Sequence, residues 1–248
     1  IIGILGVGIS SFIGNTTKGM VDTAERSQVA SIALLVSERV SRSLRLALPN
    51  SIRTSATGDC IEYIPVYAGT DYLSVPVLLS SNQFDVAPFS NIANGFDFSA
   101  TPLRVAVYPS SLTGLYSLSA NSVISSGVSQ VGASLIVGAQ SVLLDANHQF
   151  PEDSPTKRLF LVDQPRMYCF KNDLLYHYRD YGYSAGGSLP TPALTKASVV
   201  GSRLDQGEFN YFPNTLQRNG VVVVKFDVRG DGTLRQTVNQ EVQIRNVP

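Results

Sequence analysis

Ile1-Ile2-Gly3-Ile4-Leu5-Gly6-Val7-Gly8-Ile9-Ser10-Ser11-Phe12-Ile13 opens the chain as an uncharged apolar run, and the first charged side chain is Lys18. From Val21 the composition changes while the period does not. Val29, Ile32, Ala33, Val36, Val40, Leu44, Ala47 and Leu48 recur at three- and four-residue steps, which lines one face of a helix with apolar side chains. Glu25, Arg26, Glu38, Arg39, Arg42 and Arg45 fall between them, on the faces left for water. Pro49-Asn50 is the stop, because proline pushes its predecessor out of the helical region and cannot itself continue the ladder. No proline comes earlier.

A continuous helix from Ile1 to Leu48 runs about 70 Å at 1.5 Å per residue, longer than a domain of this size can cover. Part of it must therefore project, and the projecting part is the most apolar. Bare apolar side chains in water forfeit roughly 25 cal/mol for each Å² left unburied, so Ile1, Ile2, Ile4, Leu5, Val7, Ile9, Phe12 and Ile13 call for a membrane or a bundle of similar helices. The run alone is too short to cross a bilayer, which takes about 20 apolar residues. The chain does not open on Met, and we expect further residues upstream of Ile1. A secretory signal peptide is the competing reading. No Ala-x-Ala-like cleavage site precedes Ser10, and the helical pattern runs on into the domain instead of ending.

Beyond Pro49 the helical period gives way to strand signals. Cys60 to Tyr67 alternates and ends in the turn-like Ala68-Gly69-Thr70-Asp71, with Tyr72 to Leu79 as the expected hairpin partner. Asn82 to Ser99 reads as irregular, Leu103 to Tyr108 and Leu115 to Ser119 as strands, and Val123 to Gln140 as Ser- and Gly-rich and weakly β, a stretch that could be a surface loop and is the place to look for a partner surface. Ser141 to Leu144 and Arg158 to Val162 are expected to pair. Arg166 to Phe170 and Leu174 to Tyr178 form a hairpin through Lys171-Asn172-Asp173. Tyr181 to Pro192 is a link, and Leu194 to Leu204 is short helix or coil. Val221 to Val228 is the strongest strand, turning at Arg229-Gly230-Asp231-Gly232 into Leu234 to Arg245. The expectation is α+β: a helix over residues 1–50, and a β-rich globular domain over 51–248 whose antiparallel sheet is covered by Val29, Ile32, Val36, Val40 and Leu44.

Composition narrows the function classes. Lys plus Arg equals Asp plus Glu at 19 each, so net charge makes no case for nucleic acid as a partner. Charged residues are 15% of the 248, against about 25% in typical soluble proteins, and Ser, Thr, Asn and Gln fill the surface as in extracellular β proteins. There is no phosphate-binding loop, nucleophile elbow or His-Glu-x-x-His, and Gly3, Gly6 and Gly8 lie in an apolar helix with no strand before them. We expect neither catalysis nor a cofactor. His148 and His177 have no metal-ligand spacing, Asp227 and Asp231 lack the further carboxylates of a calcium loop, and the Asp231 of Arg229-Gly230-Asp231 already has a turn to make with Gly232. Cys60 and Cys169 are not a zinc site; free buried thiols and a disulfide both remain open.

An apolar N-terminal helix that turns amphipathic and then yields to a β domain resembles the type IV pilin superfamily. Ile2 to Gly8, Cys60-Ile61-Glu62-Tyr63-Ile64-Pro65, Tyr168-Cys169-Phe170, Leu174-Leu175-Tyr176-His177-Tyr178 and Val242 to Pro248 carry a closer likeness. It is to the minor pilins of the mannose-sensitive haemagglutinin (MSHA) pilus, and more broadly to PilW-like minor pilins and J-type type II secretion pseudopilins. Residues 80 to 150 carry little of it. The family's Gly-Phe cleavage junction and early Glu do not occur at this start, so neither can be placed on a residue here.

The resemblance implies a minor pilin held in the inner membrane by its helix until it joins the core of an extracellular pilus, acting in initiation or at the tip. It implies other major and minor pilins as partners. It also implies export, and with it a Cys60–Cys169 disulfide closing a loop long enough for up to about 4.7 kcal/mol in the chain-entropy model. The same helix would serve a secretion pseudopilin. A helix-tethered adhesin or glycan-binding domain is the alternative from another class, with eleven Tyr and no Trp to line a sugar site.

Overall fold

The computed structural model describes residues 2–92, 96–112, 114–213 and 218–244, with side chains from Phe12 onward. The chain is α+β, with an N-terminal helix α1 (Ile2–Arg45) and antiparallel sheets. The helix closes three residues before Leu48. Leu46 and Ala47 donate to Ser43 and Leu44 in a tightened last turn, after which Leu48 N–H bonds Ile64 O at 2.7 Å and Val66 N–H bonds Leu46 O at 2.8 Å. Asn50, at φ 60°, then turns the chain away.

Where one sheet was expected there are three. The first has five strands in the order β1 (Arg53–Thr54), β2 (Cys60–Tyr63), β9 (Arg166–Lys171), β10 (Leu174–Tyr178), β11 (Ala197–Ser202). The second has three, β12 (Leu204–Phe212), β13 (Gly220–Arg229) and β14 (Arg235–Ile244). The third has six, in the order β3 (Val66–Asp71), β8 (Arg158–Val162), β5 (Arg104–Val107), β6 (Ile124–Ala133), β7 (Gln140–His148), β4 (Ser81–Val86). Every strand of this third sheet lies between β2 and β9 in sequence, so it is an insertion into the first.

Two hairpins follow the local sequence. Asn172 and Asp173, at φ 51° and 61°, make the two-residue left-handed turn that matches strand twist and joins β9 to β10. The Val-rich β13 pairs with β14 from Gly220↔Ile244 to Arg229↔Arg235. Elsewhere distant partners override local propensity. Ala68 to Asp71 is strand instead of turn, because β8 supplies its ladder from Val66↔Val162 to Asp71↔Arg158. Tyr72 to Leu79 is not a strand; Tyr72 makes a single bridge to Val86. β4 falls in the stretch read as irregular, and β6 in the stretch read as only weakly β, where it is a ten-residue strand with Ile124, Val128 and Val131 buried behind a polar alternation. β7 and β8 do not pair with each other: β7 lies between β4 and β6, and β8 between β3 and β5. Leu115 and Tyr116 are a buried turn, and Leu194–Lys196 is one 3-10 turn before β11.

The core divides along the same lines. Val29, Ala33, Val36, Val40, Leu44 and Ala47 share one cluster with Ile61, Tyr63, Tyr168, Leu175, Phe209, Val222, Val224, Phe226, Val228, Val242 and Ile244. The six-stranded sheet has its own, built on Phe84, Phe98, Leu103, Val105, Val142, Leu144, Phe150, Leu159 and Leu161. Leu48, Ile64, Ala106, Leu115, Tyr116, Ile124 and Val162 form a seam between the two.

Candidate assembly surface

Along α1 the environment changes at Val29. From Phe12 to Gln28 no side chain is buried, and Phe12, Ile13, Met20 and Val21 are 71%, 57%, 69% and 60% exposed. Of the expected packing residues, Phe12 and Ile13 thus stand free of this chain's own core, while Ile1, Ile2, Ile4, Leu5, Val7 and Ile9 lie outside the described side chains. From Val29 on, Val29, Val36, Val40 and Leu44 are each at most 1% exposed, and Ile32 packs at the margin of the same cluster. Among the described residues no helix is long and apolar enough to cross a membrane.

The exposed half carries Asn15, Lys18, Asp22 and Arg26 to the outside, while three of its hydroxyls bond back to the helix. Thr16, Thr17 and Thr23 donate their hydroxyls to the carbonyls of Phe12, Ile13 and Gly19 at 2.8, 2.8 and 2.7 Å, which leaves methyl groups outward. A second apolar patch lies on the helix back, where Leu34 and Leu35 are each 68% exposed. Leu34, Ser37, Glu38, Arg42, Leu46 and Gln240 border a groove of about 300 Å³ between the helix and β14. Ser37 Oγ to Gln240 Oε1 at 3.3 Å crosses it, and Glu38 is taken up by Arg42 at 2.8 Å.

Beside this surface the first sheet is locked. Cys60 and Cys169 are in-register neighbours of β2 and β9, bonded as a disulfide with Cα atoms 4.2 Å apart and 109 residues between them in sequence. On the same strand Glu62 is fully buried and paired with Arg53, and it accepts the Tyr181 hydroxyl at 2.8 Å. Arg53 donates to the carbonyls of Gly186 and Ser184 at 2.8 and 3.1 Å and stacks 3.7 Å from the Tyr116 ring centre. Burial, and then the Glu62 carboxylate, push the Tyr116 and Tyr181 hydroxyls well above their ordinary range, so both act only as neutral donors. Sequence reasoning missed this network. Its signal was a lone Glu inside the apolar run Ile61-Glu62-Tyr63-Ile64, where a charge must find a partner.

Both histidines are buried. His148 Nε2 lies 2.8 Å from Ser122 O, and burial lowers its pKa. His177 is stacked on Tyr168 with ring centres 4.4 Å apart, and neither of its nitrogens has a partner. Burial first, then the charges of Arg166, Arg179 and Arg39, bring its pKa down to about 3. The Arg229-Gly230-Asp231 triplet is engaged internally: Arg229 meets Asp173 at 2.6 Å, Asp231 meets Arg203 at 3.8 Å, and Asp231 N–H donates to Glu25 of the helix. Asp227 sits in the β13–β14 ladder opposite Thr237. Among the described residues no group of His, Cys, Asp or Glu is arranged to hold a metal.

No protein-family model matches this chain, and no curated protein or solved structure matches it either.

Proposed function

We propose that this chain is a minor pilin of an MSHA-type type IV pilus, a structural subunit that enters the fibre core by its apolar helix and acts in assembly initiation or at the tip. The C-terminal half of α1 is the spine on which its own sheets pack, and the N-terminal half is the part handed to neighbouring subunits. The observation that supports this is the switch at Val29 within one unbroken helix. Seventeen residues from Phe12 to Gln28, about 25 Å at 1.5 Å per residue, carry Phe12, Ile13, Met20 and Val21 exposed and meet the β13–β14 turn at Glu25, and the next turn begins a buried stripe. Exposed apolar area of that kind is stabilised only by burial against something else. Threonine hydroxyls folded onto their own helix suit a dry neighbour.

The sheets then fix what the helix presents. The Cys60–Cys169 bridge and the Arg53–Glu62 pair hold the strands nearest the helix end, so side chains offered to neighbouring pilins keep one orientation.

A truncation decides the matter. Removing Ile1 to Gly19 is expected to abolish membrane retention and pilus incorporation while the β domain keeps its circular dichroism. Retention and incorporation that survive the deletion would sink the mechanism. As a finer test, Met20→Cys is expected to crosslink to a neighbouring pilin in assembled fibres, and Leu79→Cys, at an exposed position of the β domain, is not.

A further inference from the structure

The β6–β7 hairpin outruns the strands on either side of it. β5 meets β6 at Ala106↔Ile124 and Arg104↔Gly127, Val128 N–H then bonds Leu103 O at 2.9 Å, and from Gln130↔Leu143 to Ala133↔Gln140 the strand β6 pairs with β7 alone. On the far side of β7, β4 ends at Val86↔Gln140. Ser134 to Ala139 therefore stand beyond the last pair of both ladders. Their turn is nonetheless a fixed one. Ala139 N–H bonds Ile136 O at 3.1 Å, Ile136 N–H bonds Ser134 Oγ at 3.0 Å, and Gly138 takes φ 79°, which a side chain would resist. Phe89 N–H to Gln140 Oε1 and Gln83 Nε2 to Ser141 Oγ, both at 2.9 Å, pin the stem beneath it.

What this turn holds out is apolar. Leu135 and Val137 are wholly exposed and Ile136 is 48% exposed, three aliphatic side chains in a row on a convex tip. A turn asks for Gly, Asn, Asp or Ser, so the conformation gives no reason for them, and each Å² of them left in water forfeits roughly 25 cal/mol. No Asp, Glu, Lys, Arg or His occurs between Arg104 and Asp145, and the stem is edged by the uncharged Ser129, Gln130, Ser134 and Gln140. The β4–β7 ladder reaches its first charge at Asp85, opposite Ser141. The exposed Leu78 and Leu79 differ in this respect, since Asp153 and Lys157 lie beside them and would be buried with them.

We infer that the Leu135-Ile136-Val137 tip inserts into the interfacial layer of a lipid bilayer and does so without preference for anionic headgroups. A bilayer demands no matching shape from a convex tip, and an apolar surface sunk about 5–10 Å into the boundary between headgroups and acyl chains is enough to hold it. The preformed turn gives up little conformational freedom on entry. Uncharged hydroxyls and amides then lie at headgroup level, where no ion has to be desolvated. A socket on another protein fits less well, because binding energy at protein interfaces concentrates in Trp, Tyr and Arg while Leu and Val are under-represented. With no Lys or Arg at the tip there is nothing for anionic lipid to attract or for salt to screen. The inference draws on no residue of α1 and stands whether or not that helix enters a fibre.

The test reads the tip itself, so that membrane contact by the helix does not count. Cys60 and Cys169 are bonded to each other, and Ala133→Cys therefore places a single environment-sensitive dye on the exposed shoulder of the tip in the full chain. Leu78→Cys places it three residues before Ser81, which pairs with His148 at the opposite end of β7. Each labelled chain is reconstituted in phosphatidylcholine vesicles and mixed with a second set of vesicles. A shallow brominated lipid is carried by one set or the other, which distinguishes the membrane that holds the chain from a second one. The dye at position 133 is expected to shift to the blue and to be quenched in one of these arms, equally with and without phosphatidylglycerol and at low and high salt, while the dye at position 78 is not quenched. Leu135→Ser/Val137→Ser, at two exposed positions, is expected to leave the melting temperature unchanged and to raise the lipid needed for half-quenching roughly a hundredfold. No quenching at position 133, equal quenching at position 78, or quenching that survives the double variant overturns the inference. So does a blue shift that appears with assembled pili and not with vesicles, which would assign the tip to a protein socket.

Discussion

Replacing Arg53 by Ala tests whether the buried pair locks the sheet. Arg53 and Glu62 side chains are 6% and 0% exposed, so neither charge can turn to water once its partner has gone. In Arg53→Ala the Glu62 carboxylate keeps the Tyr181 hydroxyl alone, the carbonyls of Ser184 and Gly186 lose their donor, and the Tyr116 ring loses its stacked cation. Leaving one member of a buried pair uncompensated costs about 3–5 kcal/mol, and the two orphaned carbonyls place this case at the upper end. Removing both charges in Arg53→Met/Glu62→Leu relieves the larger part. The double variant is expected to be more stable than Arg53→Ala by about 2 kcal/mol, a coupling only contacting residues show. Guanidinium unfolding followed by far-UV circular dichroism reads both, with the m-value unchanged so that midpoints compare directly. A loss below about 1 kcal/mol in Arg53→Ala, or single-variant losses that simply add, would refute the reasoning.

Leu44→Ala, at 0% exposure, is expected to cost about 2–5 kcal/mol, whereas Leu35→Ala on the exposed back of the same helix stays within about 0.5 kcal/mol; equal losses would contradict the assigned face. Gly201→Ala would set a methyl 2.5 Å from Val36 Cγ2 and should lower stability by about 1–3 kcal/mol, a loss that Gly201→Ala/Val36→Ala partly restores. Cys60→Ser/Cys169→Ser is expected to lower stability by about 2–5 kcal/mol in thermal melts. For His177 the folded pKa of about 3 lies below the unfolded value of about 6.5, so the unfolded chain binds the extra proton between them. Its contribution is complete above pH 6.5 and is lost as pH falls toward 3. His177→Phe keeps the stack on Tyr168 and should flatten the stability profile across that window, as denaturation at stepped pH would show.

Much of the fold was legible wherever sequence neighbours are also spatial neighbours. Helical spacing from Val29 to Leu44, the Asn172-Asp173 turn and the valines of β13 are local signals, and the structure uses each of them. What was misread depends on partners far away. Ala68-Gly69-Thr70-Asp71 has turn composition yet pairs with a strand some ninety residues later, where a ladder outweighs local preference. Ser and Gly hid β6 because its outward face is polar and only Ile124, Val128 and Val131 mark the inward one. The hold of the helix stop on Pro109 and Tyr116 left no motif at all: Asn50 Nδ2 donates to Pro109 O and the Tyr116 hydroxyl to Ser51 O, contacts made across about sixty residues of sequence.

The six-stranded sheet enters and leaves the rest of the protein between Tyr63 and Arg166, a register pair of β2 and β9, with the disulfide three ladder positions away at Cys60 and Cys169. It is therefore a pendant hung from a covalent clasp. A cut anywhere in its outer loops leaves both fragments attached to the stem, and a pendant of different size or shape can be fitted without rethreading the strands that hold the helix. The stem is free to stay constant while the hanging part diversifies.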